Sequence, residues 1–180
     1  YEILRCLVGS EMCIRDRSST GKKITTDTII DYLNYLEDTW ILFPLENYVS
    51  KLADKVSNKK FYFMDNGILS LFLMDPETSL LENLVAVTLK KRYGDGLYFY
   101  HRNIEVDFYL DEAHKAIQVS YSLKDPETRK REVNALLKLA ENVAVDDLCI
   151  ITRDEEEMIV EGEKTIRVVP VWRWLLDDEE

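Results

Sequence analysis

The chain has 180 residues, 46% of them apolar and 11% aromatic, enough for one globular domain with a buried core. Its 34 acids against 23 bases leave a net charge of -11, which speaks against broad binding to a phosphate backbone through lysine and arginine. No run approaches the ~18 uninterrupted apolar residues of a membrane span. Three cysteines are too few, and odd in number, for a disulfide framework, so a reducing, cytoplasmic setting without a membrane partner is expected.

Residues 1–17, YEILRCLVGSEMCIRDR, fit neither a secretory signal nor a zinc site. The apolar run around Leu7 is too short for a signal, and Cys6 and Cys13 lack the close pairing of a zinc knuckle. The genetic code gives a better reading. Val8 to Asp16 can be written GTG GGC TCG GAG ATG TGT ATA AGA GAC, which resembles the adapter and transposon mosaic end of sequencing libraries. Residues 1–17 therefore read as a non-native, adapter-derived segment, to be set aside for fold reasoning. On this reading the natural sequence begins near Ser18, the chain is a fragment, and the segment lacks packing partners. Cys149, in LCIIT, is then the remaining cysteine and reads as a small buried hydrophobe.

Residues 24–39 place Ile29, Leu33 and Leu36 on one helical face, with Thr25 or Thr26 as N-cap. WILFPL reads as a short strand stopped by Pro44, and 45–58 as a lysine-bearing strand pair or loop. KKFYFM is a strand closing in an Asp65-Asn66-Gly67 turn, followed by the short helical or apolar segment GILSLFL. Leu81, Leu84, Val85 and Leu89 predict a helix that Gly94 and Gly96 end. Three strands follow, LYFYHR, IEVDFYL and KAIQVSYS, the last two joined by the turn DEAH. Asp125-Pro126-Glu127-Thr128 caps a helix through Asn142. LCIITRD then reads as a strand buried on both faces, TIRVVPV as an edge strand after the turn EGEK, and WRWLLDDEE as a short helix or tail. The order is that of an α/β fold on one mixed sheet.

Strict alternation in IEVDFYL puts Ile104, Val106, Phe108 and Leu110 on one face and Glu105, Asp107 and Tyr109 on the other. In the next strand Ile117, Val119 and Tyr121 oppose Gln118 and Ser120, so pairing through DEAH brings Asp107 close to Gln118. Glu82 faces out of an otherwise apolar helix stripe.

E-x22-E-V-D-F followed by an apolar I-x-V strand resembles the PD-(D/E)XK, restriction-endonuclease-like fold. F-Y-F-M-D-N-G, L-L-E-N-L-V, E-V-D-F, Y-S and D-P-E-T-x-x-R-E together are similar to a C-terminal domain of unknown function carried by bacterial and archaeal AAA-type ATPases. The resemblance covers 18–180. It implies a winged-helix remnant at 18–58, a nuclease-like α/β domain at 59–180, and ATP with magnesium on a missing N-terminal domain that is the partner of this one. Active members of the fold hold Mg²⁺ or Mn²⁺ on two carboxylates while a lysine helps generate the nucleophile. The resemblance maps the aspartate to Asp107 and the supporting acid to Glu82, the two candidate metal ligands. The D/E-x-K positions fall on Gln118 and Ser120, neither of which supplies the required charge. The site therefore reads as vestigial, with a regulatory or recognition role.

Two alternatives remain open. A nuclease could draw its lysine from another element, Lys115 or Lys130 being nearest in sequence. A winged-helix module could bind DNA through Lys51, Lys55, Lys59 and Lys60, although Asp27, Asp31, Glu37 and Asp38 make its helix acidic and favour a protein or interdomain partner. Asp65 reads as a turn residue, His101 and His114 as fillers, and Trp172 and Trp174 as cover for the sheet edge. Gly21-Lys22 lacks the upstream glycine of a phosphate loop, Asp16 standing there instead.

Overall fold

A computed structural model describes residues 26–49, 59–73 and 77–177. The segment read as adapter lies outside them, as do Lys51 and Lys55. In chain order the elements are α1 (Thr26–Asp38), β1 (Leu42–Asn47), β2 (Lys59–Phe63), α2 (Asn66–Ser70), α3 (Glu77–Tyr93), β3 (Leu97–His101), β4 (Glu105–Leu110), β5 (Lys115–Val119), α4 (Pro126–Ala140), β6 (Asp147–Thr152), β7 (Glu157–Glu161), β8 (Lys164–Pro170) and α5 (Val171–Leu176).

The strands form one eight-stranded mixed sheet in the order β2-β1-β3-β4-β5-β6-β8-β7. Helices cover both faces, as an α/β architecture requires. On one face Leu81, Val85, Ala86 and Leu89 of α3 and Trp174 of α5 meet Phe108, Leu110, Ile117, Val119, Cys149 and Ile151. On the other, Val133, Leu136 and Leu139 of α4 meet Val106, Tyr109, Ala116, Leu148, Ile150 and Ile166. A smaller cluster of Leu42, Phe63 and Leu69 joins α1 and α2 to the β1–β2 end. Cys149 is fully buried in the first core. α4 begins where the sequence places it, with the Asp125 carboxylate accepting the Thr128 N–H at 2.8 Å and Pro126 in the first turn.

Several expectations change. β1 runs through Pro44, which pairs with Phe61 in register. Tyr48 N–H points to β3, donating to Phe99, so the missing N–H of Pro44 lies on that same edge. There β1 has no ladder partner before Glu46, which is where proline is tolerated. β1 also belongs to the common sheet, so pairing joins residues on either side of the expected boundary at 58. Asp65 is a helix cap as well as a turn residue, its carboxylate accepting the Ile68 N–H at 3.0 Å. A Cβ at Gly67 would come within 2.8 Å of that carboxylate, which accounts for the glycine.

The strand EMIVE, hidden in the sequence behind a run of acids, pairs antiparallel with β8 and takes the edge expected of TIRVVPV. α5 is helical, so Trp172 and Trp174 diverge: Trp174 enters the core and Trp172 stays 56% exposed. Most important for the site, β4 does not alternate. Tyr98 pairs with Tyr109 but Tyr100 pairs with Val106, so Asp107 and Phe108 together oppose Phe99. This β-bulge sends Val106 into one core and Phe108 into the other, against the expected shared face.

Candidate functional site

The bulge and the parting of β4 from β5 create the site. The β4–β5 ladder runs from Leu110↔Lys115 to Phe108↔Ile117 and stops there. Side chains complete it. Gln118 Oε1 accepts the Asp107 N–H at 2.7 Å, and Asp107 Oδ2 accepts the Val119 N–H at 2.9 Å. The expected proximity of Asp107 and Gln118 is thus observed, as a cross-link between diverging strands.

The other Asp107 oxygen faces a cation from the far end of the sheet. Lys60, on β2, extends under Phe99 with its ammonium 5.4 Å from the ring centroid. It stands 2.5 Å from Glu105 Oε1 and 3.7 Å from Asp107 Oδ1, its side chain 11% exposed. Two residues on, the Tyr62 hydroxyl donates to Glu82 Oε1 at 2.9 Å. The neighbour of Glu82 fixes that contact: Asn83 is fully buried and clasps β2, accepting the Phe63 N–H at 2.8 Å and donating to the Phe63 carbonyl at 2.9 Å and to Asn66 Oδ1 at 2.8 Å. The clasp seats α3 on the β2 edge and carries Glu82 to Tyr62.

The electrostatics follow from burial and crowding. Burial, reinforced by the charge of Glu82 and only partly offset by Lys60 and the Val119 N–H, pushes the Asp107 carboxyl up to about 7. Burial alone would lower the Lys60 ammonium, but the charges of Asp107, Glu82 and Glu105 outweigh it and hold the lysine well above its ordinary value. Burial and the Glu82 carboxylate likewise push the Tyr62 phenol well up.

Gln118 works toward the opposite face. Its Nε2 donates to Glu132 Oε2 at 2.5 Å, and Arg131 donates to Glu132 Oε1 through Nε and Nη2. Ser120 Oγ donates to the Ser122 carbonyl at 3.1 Å and joins neither group. The expected quartet of Glu82, Asp107, Gln118 and Ser120 therefore splits. Glu82 and Asp107 share the Lys60 cluster, Gln118 links across the sheet, and Ser120 stands apart.

Neither lysine favoured by sequence reaches Asp107: Lys115 pairs with Asp147 at the other end of β5, and Lys130 is exposed on α4. Sequence reasoning missed Lys60 as a member of the site, together with Tyr62, Glu105 and Glu132. The signal for Lys60 was its strand position two residues before Tyr62, on one side of β2. As arranged, the residues do not fit a divalent cation. Both Asp107 oxygens and Gln118 Oε1 are engaged, and an ammonium lies among the acids. No three acidic, histidine or cysteine side chains converge as a metal site needs among the described residues. His114 makes an exposed contact with Asp146, Nδ1 to Oδ2 3.1 Å, and no described helix is long and apolar enough to cross a membrane.

The chain has the class of a mixed α/β domain with an acidic cluster built around a buried lysine. Residues 3–79, less than half of the chain, match a domain of unknown function, DUF8612. That match begins inside the segment read as adapter. Over 190 aligned residues the chain is 32% identical to an uncharacterized protein of the archaeon Methanocaldococcus jannaschii, covering 97% of this chain and 43% of that protein. The chain thus spans less than half the length of this relative. No solved structure matches it significantly.

Proposed function

We propose that this chain is the C-terminal part of a longer AAA-type ATP-binding protein, a nuclease-like domain that has lost hydrolysis and serves recognition or regulation. The observation that carries the reading is the Lys60 ammonium lodged among Glu105, Asp107 and Glu82. A resident cation there takes the place a metal would hold and offsets part of the acids' charge, and Gln118 is committed to bridging β4, β5 and α4. ATP and its magnesium belong to the upstream part, which is the domain's partner. The resemblance of the five motifs supports this parentage, as does a relative more than twice as long as the aligned segment. An upstream reading frame with a phosphate-binding loop in the same genome supports it further, and one without such a loop overturns it.

A second reading has one observation in its favour. Lys60 comes from a distant strand and stands 3.7 Å from Asp107, where a migrated catalytic lysine would be needed. A cleavage assay on single- and double-stranded DNA with Mg²⁺ or Mn²⁺ separates the two. The proposal expects no metal-dependent cutting. Cutting that is abolished by both Asp107→Ala and Lys60→Ala establishes the nuclease instead. Lys60 is unsuited to the third role, phosphate contact from a winged helix, because its ammonium turns inward.

A further inference from the structure

β7 is the last strand of the sheet, at the opposite end from β2 and Lys60, and among the described residues only β8 pairs with it. Its outer edge is therefore open. The hairpin to β8 turns through two residues, Gly162 at φ +62° and Glu163, with Glu161 facing Lys164 across the turn. In such a hairpin the flanking pair exchanges both backbone bonds, and the pattern alternates from there. Glu161, Ile159 and Glu157 thus bond to β8, and the N–H and C=O of Met158 and Val160 point outward. None of the described backbone bonds outside the strands reaches either residue.

The two faces of β7 differ as well. Ile159 enters the core beneath α4, and Glu157 on the same side meets Arg129 of that helix, Nη2 to Oε2 2.9 Å. Met158 and Val160 stand on the other face. There α5 packs on β8 and β6, and Met158 and Val160 stay 61% and 68% exposed. An open edge beside two bare apolar side chains is a template for another strand.

Charge decides which strand fits. Residues 154–164 hold six acids and one base, Lys164. Glu155 is turned inward to the Ser122 hydroxyl and the Leu123 N–H, while Arg173 and Arg129 answer Glu156 and Glu157. Asp154, Glu161 and Glu163 remain, all exposed, against the exposed Lys164. A second copy of β7 fits badly. Antiparallel pairing about Ile159 would set Glu157 against Glu161 of the other copy, and like charges directly opposite destabilise a sheet.

We propose that β7 accepts one antiparallel strand from a partner protein, an extended segment that alternates apolar and basic residues. Its main chain bonds to the outward groups of Met158 and Val160. Its apolar side chains cover Met158 and Val160, and its basic ones lie on the α4 face beside Glu161.

The test is an NMR titration of the intact chain with the peptide Lys-Val-Lys-Val-Lys, acetylated and amidated at its ends, following the backbone amides of β7. A copy with N-methylated valines keeps the charge and the side chains but loses the donors that face β7. The plain peptide is expected to shift the Met158 and Val160 amides saturably, and the methylated copy to bind about tenfold more weakly or not at all. Glu161→Lys should weaken the plain peptide about threefold or more. Asp38→Lys, an equal change of charge on exposed α1, should weaken it less. No saturable shift in the millimolar range overturns the proposal, as does equal binding of the two peptides or equal loss in the two variants. Shifts of those amides with protein concentration alone, the mark of self-pairing, overturn it too. The comparison of peptides needs no altered protein, so it stays decisive if Glu161→Lys disturbs the fold.

Discussion

A lysine with an 11% exposed side chain remains charged only where carboxylates replace the water it has lost, and Glu105, Asp107 and Glu82 do so for Lys60. Lys60→Met removes the cation and leaves the acids crowded. Chemical denaturation should show a loss of about 3–5 kcal/mol, the range for breaking one side of a buried ion pair. Asp107 gives the complementary test. Its carboxyl titrates at 3.8 when unperturbed and at about 7 in the fold. Between those values the folded chain holds a proton that the unfolded chain has released, so this group's contribution to stability falls as pH rises through the window and levels off above it. Asp107→Asn, which cannot ionise, should flatten that fall in a melting-temperature profile and melt higher than the parent at pH ~8. A parallel profile for the two proteins would remove the assignment.

At the scale of elements, the α3–β2 junction depends on one buried amide. Asn83 does for the free edge of β2 what a neighbouring strand would do, pairing with both backbone groups of Phe63. Asn83→Ala strands those groups and should cost about 2–4 kcal/mol in urea denaturation, with Tyr62 losing its hold on Glu82. Asn83→Asp, which sets a buried carboxyl oxygen against the Phe63 carbonyl and Asn66 Oδ1, should cost at least as much at neutral pH. The sequence carried much of this element pattern. Helical spacing placed α1 and α3, β-rich runs placed β3 to β5, and the Asp125 cap placed α4, because each signal is local. The bulge at Asp107 was not legible, since it exists only in the pairing of β4 with β3. Lys60 was missed for a related reason: its partners lie far along the chain and meet it only through sheet order. β7 buries Ile159 alone among its five residues, too little to stand out from the acids around it.

At the scale of the whole molecule, the sheet has a narrow seam. β1 joins β3 through only two register pairs, Glu46↔Tyr98 and Asn47↔Phe99. The buried Asn47 side chain extends the seam by bonding the backbone N–H and carbonyl of His101. β5, β6 and β8, by contrast, pair along most of their length. The β1–β2 unit with α1 and α2 should therefore open before the centre of the sheet. Native-state hydrogen exchange is expected to show lower opening free energies for amides of β2 than for those of β5 and β6, with the gap widened by Lys60→Met. Uniform protection across the sheet would exclude a separate opening unit.

The ammonium among the acids has one more consequence. A cluster balanced by bound magnesium depends on ion supply and can be emptied by a chelator. Here the balancing charge is synthesised with the polypeptide and cannot diffuse away, so the share of the cluster's charge that Lys60 offsets is indifferent to how much free divalent ion surrounds the protein.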